Sequence, residues 1–329
     1  MVPTPKSILV YVGGDLVGDA IMKLPFVRAL RQAWPAAHIT WCAGKNRSAF
    51  ARELAPLITG LIDEVIEEAG FHQPLSLILR RPLSGRHFDL VIDTQRGVGT
   101  TLLLHRLRHG HLISGTAGFL FSGVRPRRGY RRPAAMVGQM TDLIALASGK
   151  PVEAAVRLTV DAGVEAAAAV ALPAGPVYVG LAPGAGGRHK CWPQDNFIAL
   201  ARQQQSLDRA PVFILGPGEA DMVETLQEAV PDARFPTVGP DGTLAEPSIP
   251  FTIALGQRLA AAVANDSGAG HILAAADTNL VSLFGPTPAA KFAPTAKRLE
   301  IIDAATFGSE AMIAIPVDAV SAAIDNLII

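Results

Sequence analysis

What most restricts this chain is a rhythm. Short runs rich in Val and Ile alternate with helix-length amphipathic segments, and the pattern restarts in the second half. Strand, crossover helix and strand in repetition build a parallel sheet with helices on its faces, so an α/β fold is expected. In the first half the pattern predicts strands at Ser7–Val12, His38–Ala43, 61–66 and 89–93, and a helix over 20–33. In the second half it predicts strands at Val177–Ala182, 212–216, 262–265 and Leu280–Phe284, with helices starting near Pro193, Ala220 and Gly270. Residues 317–329 alternate at helical spacing and read as a closing helix. The Ala-, Gly- and Pro-rich stretch 161–176 has no strand pattern and reads as a linker. A chain of 329 residues exceeds one ordinary core, so two domains are expected, 1–165 and 166–329.

Composition removes several classes. With 49% hydrophobic and 18% charged residues the chain is globular rather than disordered. The first apolar run, 8–12, stops at Gly13 and Gly14, and no later stretch reaches the length of a membrane span. Cys42 and Cys191 stand far apart, which argues against a disulfide framework and a zinc site. A cytoplasmic location is the expectation. Net charge is zero, yet residues 1–160 hold 20 Lys and Arg against 11 Asp and Glu, leaving 9 against 18 for the rest. Arginines gather at Arg80, Arg81 and Arg86, at Arg106 and Arg108, and at Arg125, Arg127, Arg128, Arg131 and Arg132. Such a half attracts anionic substrates, anionic lipid or nucleic acid, although any one of these arginines reads first as a solvated loop residue.

Four loops follow the strand candidates and concentrate glycine with titratable groups, where a parallel sheet collects ligands. In the first, Gly13 and Gly14 precede Gly18 and Asp19; this is no dinucleotide fingerprint, and Asp19 taken alone reads first as a helix N-cap. The second joins Gly184, Gly186 and Gly187 to Arg188, His189 and Lys190 before a helix, which is phosphate-binding chemistry without a Walker pattern. In the third, Glu219 after Gly216-Pro217-Gly218 can accept from ribose hydroxyls or merely favour a helix start. The fourth, Asp266, Ser267, Gly268, Gly270 and His271, offers free N–H groups, a hydroxyl and an imidazole as a diphosphate nest.

In this order, these segments resemble glycosyltransferase family 9, the heptosyltransferases, over nearly the whole chain. The matching stretches are Gly18-Asp19 running into Leu24-Pro25, then Pro183-Gly184 with Lys190-Cys191-Trp192-Pro193, then Asp266-Ser267-Gly268-Ala269-Gly270-His271 followed by Leu283 to Thr287. Ala269 and Gly270 replace the family's usual Pro and Met. The resemblance implies a GT-B architecture of two facing Rossmann-like, doubly wound domains. The first would bind the acceptor and the second a nucleotide sugar, with ADP-heptose as donor and the anionic core of lipopolysaccharide, or a related glycan, as acceptor.

The implied reaction is inverting transfer without a metal or other cofactor. Asp19 would be the general base and Lys190 would stabilise the leaving diphosphate. Gly184, Lys190, Glu219, Asp266, Ser267, Gly268 and His271 would bind the donor nucleotide; Gly18, Arg80, Arg81 and Arg127 would meet the acceptor. The histidines His105, His109 and His111 lack a supporting carboxylate, so no metal is expected there. The further expectations are a monomer with no nucleic-acid partner and a peripheral contact with the inner membrane. Two alternatives stand beside this reading: an NAD-dependent Rossmann oxidoreductase, which leaves the second half unexplained, and a non-catalytic GT-B protein that binds a nucleotide or glycan.

Overall fold

The structure is a computed structural model that describes residues 2–71, 83–152, 158–239, 241–244 and 248–328. The chain forms two compact units, Met1–Val156 and Arg157–Ile329. Among the described residues each unit holds one parallel five-stranded sheet.

In the first unit the strands are β1 (Ser7–Val12), β2 (His38–Ala43), β3 (Glu64–Ile66), β4 (His87–Asp93) and β5 (Arg108–Ser114), in the order β3-β2-β1-β4-β5. Helices α1 (Val17–Ala33), α2 (Val98–Leu104) and α3 (Met136–Ser148) accompany them. Ile8 to Val12 are wholly buried because β1 lies between β2 and β4 and is covered on both faces, which explains its unbroken apolar run. Residues 61–66 form a strand only from Glu64, where Thr40 to Cys42 supply backbone partners. The sequence pattern missed β5. It is an edge strand whose first half, Arg108 to His111, carries polar side chains, and only Leu112 to Ser114 are buried.

The second unit contains α4 (Ala162–Ala171), β6 (Val177–Ala182), α5 (Gln194–Ser206), β7 (Arg209–Phe213), α6 (Val223–Ala229), α7 (Ile249–Gly256), β8 (Ala261–Asn265), α8 (Gly268–Ala275), β9 (Leu280–Phe284), α9 (Ala289–Phe292), β10 (Leu299–Asp303) and α10 (Val317–Ile328). Its sheet order is β10-β9-β8-β6-β7. Alternation along β6 serves two cores: Val179 and Leu181 pack with Phe197, Val263, Val281 and Ile324 on one face, and Tyr178 and Ala182 with Ala168, Leu255 and Leu273 on the other. The stretch read as a linker is therefore structural. Asp161 caps α4 by accepting from Gly163 N–H at 2.8 Å, and Ala168 and Leu172 are buried in this unit's core, so the expected division at 165 falls inside a helix. The strand expected at 212–216 runs instead from Arg209 to Phe213, paired with Val177 to Leu181. A 3-10 turn, Pro217–Met222, precedes the helix expected near Ala220. Edge strand β10 also escaped the pattern, its residues being only partly buried.

In both units the first strand lies between strands reached in opposite directions, β1 between β2 and β4 and β6 between β7 and β8. That arrangement opens a crevice at the carboxyl end of the first strand. Asp19 follows β1 and Lys190 follows β6.

Candidate functional site

In the second unit the polar loops leave the carboxyl ends of β6, β7, β8 and β9, neighbours in one sheet. Asn265, the last residue of β8, is fully buried and ties two of these loops together. Its Nδ2 donates to the Pro183 carbonyl at 2.7 Å and its Oδ1 accepts from Trp192 N–H at 3.0 Å. Trp192 is itself anchored. Its indole N–H donates to the Ile315 carbonyl at 3.0 Å, and its ring meets Phe197 edge-on at 5.0 Å. The segment between Pro183 and Trp192 thus has two fixed ends, and Lys190 projects from it with its Nζ 2.9 Å from Asp266 Oδ2. Thr287, beyond β9, donates to the same oxygen at 2.7 Å. Three strand ends therefore converge on one carboxylate, with a cation beside it.

Asp266 leads directly into α8. Ser267 is the N-cap, its hydroxyl accepting from Gly270 N–H at 3.4 Å, so the hydroxyl expected to face a diphosphate also holds the helix start. The amides of the first turn carry the positive end of the helix dipole. Gly270 lies close to the Asn265 carbonyl, and a methyl group there would come within 3.2 Å of it. Burial lowers the pKa of His271, with Asp266 opposing the shift. A neutral imidazole is a hydrogen-bonding group rather than a cation, so the charge at this site falls to Lys190.

Glu219 reaches back over its own turn, Oε2 accepting from Gly216 N–H at 2.8 Å, and its other oxygen presses on Gly184. A Cβ at residue 184 would lie 2.2 Å from Glu219 Oε1, which is the physical reason for a glycine at that position. Desolvation raises the Glu219 pKa, Gly216 N–H lowers it and Asp221 adds to the rise. Of the two sequence readings of Glu219, the geometry displays the support of the turn that starts at Pro217. The structure brings Gly184 and Glu219 together, and separately Lys190, Asp266, Ser267, Gly268 and His271.

In the first unit, Gly14 adopts a φ of +141° and a Cβ on it would lie 2.6 Å from the Asn46 side chain, so the turn after β1 demands glycine. Asp15 is the buried member of that turn. It accepts from Lys23 Nζ at 3.2 Å, Trp41 Nε1 at 3.2 Å and the Ser48 hydroxyl. This network ties the entry of α1 to β2 and to the segment after it. Asp19 lies in the first turn of α1 and is exposed. The N-cap is Leu16, without a side-chain cap, which removes the capping role that Asp19 suggested in isolation. Gly18 beside it faces open space where a Cβ would stand, its own stretch of helix aside. Arg127 is exposed in the loop after β5. Arg80 and Arg81 lie outside the described residues.

Sequence reasoning did not assign Asn265, Thr287 or the Asp15 and Lys23 pair. The signal for Asn265 was its place between an unbroken apolar strand and Asp266, because a carboxamide closing a buried strand needs partners on both its oxygen and its nitrogen.

Two doubly wound parallel units, each with a polar loop at the crevice of its first strand, define an α/β protein of the GT-B class. The chain belongs to glycosyltransferase family 9 (heptosyltransferase), whose profile matches residues 77–313. Solved structures agree in fold over almost the whole length. A glycosyl transferase family 9 protein from Veillonella parvula DSM 2008 is 20% identical, with a TM-score of 0.68 over 98% of this chain and 97% of its own. E. coli ADP-heptose lps heptosyltransferase II is 21% identical, with a TM-score of 0.65 and 98% of each chain covered. E. coli heptosyltransferase WaaC with ADP is 19% identical, with a TM-score of 0.66 over 98% of this chain and 99% of that one. No curated protein matches by sequence. Among the described residues no helix is long and apolar enough to cross a membrane.

Proposed function

We propose that the chain transfers a heptose, or a related sugar, from an ADP-sugar to a hydroxyl of an anionic glycolipid such as a lipopolysaccharide core, with inversion and without a metal. The observation that carries this reading is the placement of Lys190 beside Asp266 at the start of α8. A cation and the free amides of a helix start then share one crevice, which suits a diphosphate. In the reaction the acceptor oxygen attacks the anomeric carbon while the bond from that carbon to the diphosphate breaks. The bonding electrons leave with the diphosphate. The proton of the attacking hydroxyl goes to the Asp19 carboxylate, which can take it as the new bond makes it acidic. Lys190 and the amides around Ser267 to Gly270 that the Ser267 cap leaves free stabilise the charge growing on the leaving group. His271 holds a phosphate oxygen or the turn, and Glu219 accepts from the ribose. Arg80, Arg81, Arg127 and Gly18 belong to the acceptor side, where the first unit's excess of positive charge meets an anionic glycan. The protein would act in the cytoplasm, as a monomer touching the inner membrane peripherally.

The names of the structural neighbours, one of them bound to ADP and another to ADP-2-deoxy-2-fluoro heptose, support an ADP-linked donor. Thermal unfolding in the presence of nucleoside diphosphates, nucleotide sugars and NAD tests this choice, because a ligand that binds the native state raises the midpoint. ADP or an ADP-sugar should raise it and NAD should not. Release of ADP from ADP-heptose in the presence of a lipopolysaccharide core acceptor then separates an enzyme from a binding protein. Protection by ADP with no turnover on any core acceptor would favour the non-catalytic alternative.

A further inference from the structure

We propose that α2 and the turn at 117–121, with the arginines around them, form a docking surface for an anionic lipid bilayer. The proposal rests on the peripheral contact suggested above and assigns it to particular residues. Residues 94–141 contain eight arginines and no Asp or Glu. All eight, from Arg96 to Arg132, are exposed, and among the described residues none is paired with a carboxylate. Charge alone would suit any polyanion. The apolar side chains make the choice.

Helix α2 buries Thr101 and Leu104 against the unit and turns Val98 and Leu102, one helical turn apart, outward at 48% and 50% exposure. The turn beyond β5 does the same by another route. Ala117, Gly118 and Phe119 take φ values of +48°, +65° and +67°, a left-handed run that non-glycine residues adopt only at a cost. This turn buries Phe119 and leaves Leu120 57% exposed. The two features are adjacent: His105, which ends α2, places its Nε2 2.9 Å from the Phe121 carbonyl. Arg125 donates to the Leu120 carbonyl at 3.1 Å, setting a guanidinium beside the exposed leucine. Apolar side chains held outward near arginines without a carboxylate partner match a bilayer boundary, where the former enter the acyl region and the latter meet lipid phosphates. A soluble glycan or a nucleic acid would use the arginines and gain nothing from the leucines.

Co-sedimentation of the whole protein with vesicles tests this, using phosphatidylcholine alone and phosphatidylcholine with a third phosphatidylglycerol, at low and high salt. Binding is expected on the anionic vesicles only, weakening by about tenfold or more as salt rises. Arg106→Gln with Arg108→Gln, and separately Leu102→Ser with Leu120→Ser, should each reduce vesicle binding by about tenfold, while the unfolding midpoint and ADP titration stay as in the parent. Equal binding to both vesicle types, or none to either, overturns the proposal. Loss in the arginine variant with full binding in the leucine variant also overturns it, since that pattern marks a surface for soluble polyanions. ADP titration reports separately on the donor reading, so a protein that binds ADP but no vesicles refutes the docking surface and leaves the transferase reading standing.

Discussion

Lys190 Nζ stands 2.9 Å from Asp266 Oδ2, across 76 residues of sequence, and the pair is mostly shielded, with side-chain exposures of 28% and 11%. A shielded ammonium balanced by one carboxylate is already oriented, and under the proposed function an arriving diphosphate would share it rather than assemble it. If this charge matters most as the diphosphate departs, Lys190→Ala should lower kcat more than it weakens donor binding, by about ten- to a thousandfold. His271→Ala should weaken ADP binding more evenly. Because both groups would touch one diphosphate, a double-mutant cycle should show coupling. Calorimetric titration with ADP and steady-state rates on the three variants measure it. Strictly additive losses with unchanged ADP affinity would place the nucleotide elsewhere.

For Asp19 the structure separates the proposed catalytic role from a folding role in advance. The residue caps nothing and is exposed in the first turn of α1, so its carboxylate contributes to stability only through the helix dipole, about 0.3–1 kcal/mol. Asp19→Asn should therefore reduce kcat by about a hundredfold or more, with ADP affinity kept and the unfolding midpoint nearly unmoved. Full activity in this variant would remove Asp19 from the mechanism.

Much of this was legible in the chain because parallel strands buried on both faces leave unbroken apolar runs, as at β1 and β9. Edge strands leave no such mark. β5 begins Arg-His-Gly-His and β10 is half-exposed, and each is a strand because a neighbour supplies backbone partners, a property of the fold rather than of local pattern. The stretch around 161–171 lacked a strand pattern, yet an Asp cap and an alanine-rich face make it a helix. At the site, charged and Gly-rich loops were visible as chemistry. The hydrogen bonds of Asn265 to Pro183 and Trp192 were not, because they join residues 73 and 82 positions apart.

Glu219 gives a pH test with a definite sign. Burial raises its folded pKa above the ordinary 4.5, so in the pH window between the two values the folded state holds a proton that the unfolded chain has released. Ionising this carboxyl therefore destabilises the fold. The penalty is absent below the unfolded pKa and is complete once pH passes the raised folded value. Glu219→Gln keeps an acceptor for Gly216 N–H and carries no charge. Urea unfolding should find the variant more stable than the parent near pH 7.5, with the gap closing as pH falls below about 4.5. A gap of the same size at both pH values would show that the charge of Glu219 is not the cause.

Asn265 offers the sharpest test of how the site is held. Its carboxamide satisfies a buried carbonyl and a buried amide at once, and the span they delimit carries Lys190. Asn265→Ala orphans both backbone groups, at about 1–3 kcal/mol each, and a lower unfolding midpoint by itself would say only that the residue is structural. Asn265→Asp is the more telling variant. It keeps the oxygen that accepts from Trp192 N–H, but where the amide donated to the Pro183 carbonyl it sets a second oxygen, so the Pro183 end of the span should come loose. If Lys190 acts, as proposed, on a charge that grows in the transition state, that stabilisation is steeply sensitive to position. The expected result is a fall in kcat of about tenfold or more, with a smaller change in KM for the donor, measured at a temperature where the unfolding curve shows the variant fully folded. If Asn265→Asp is less stable yet turns over at the parent rate when folded, Asn265 supports the sheet and Lys190 finds its place without it.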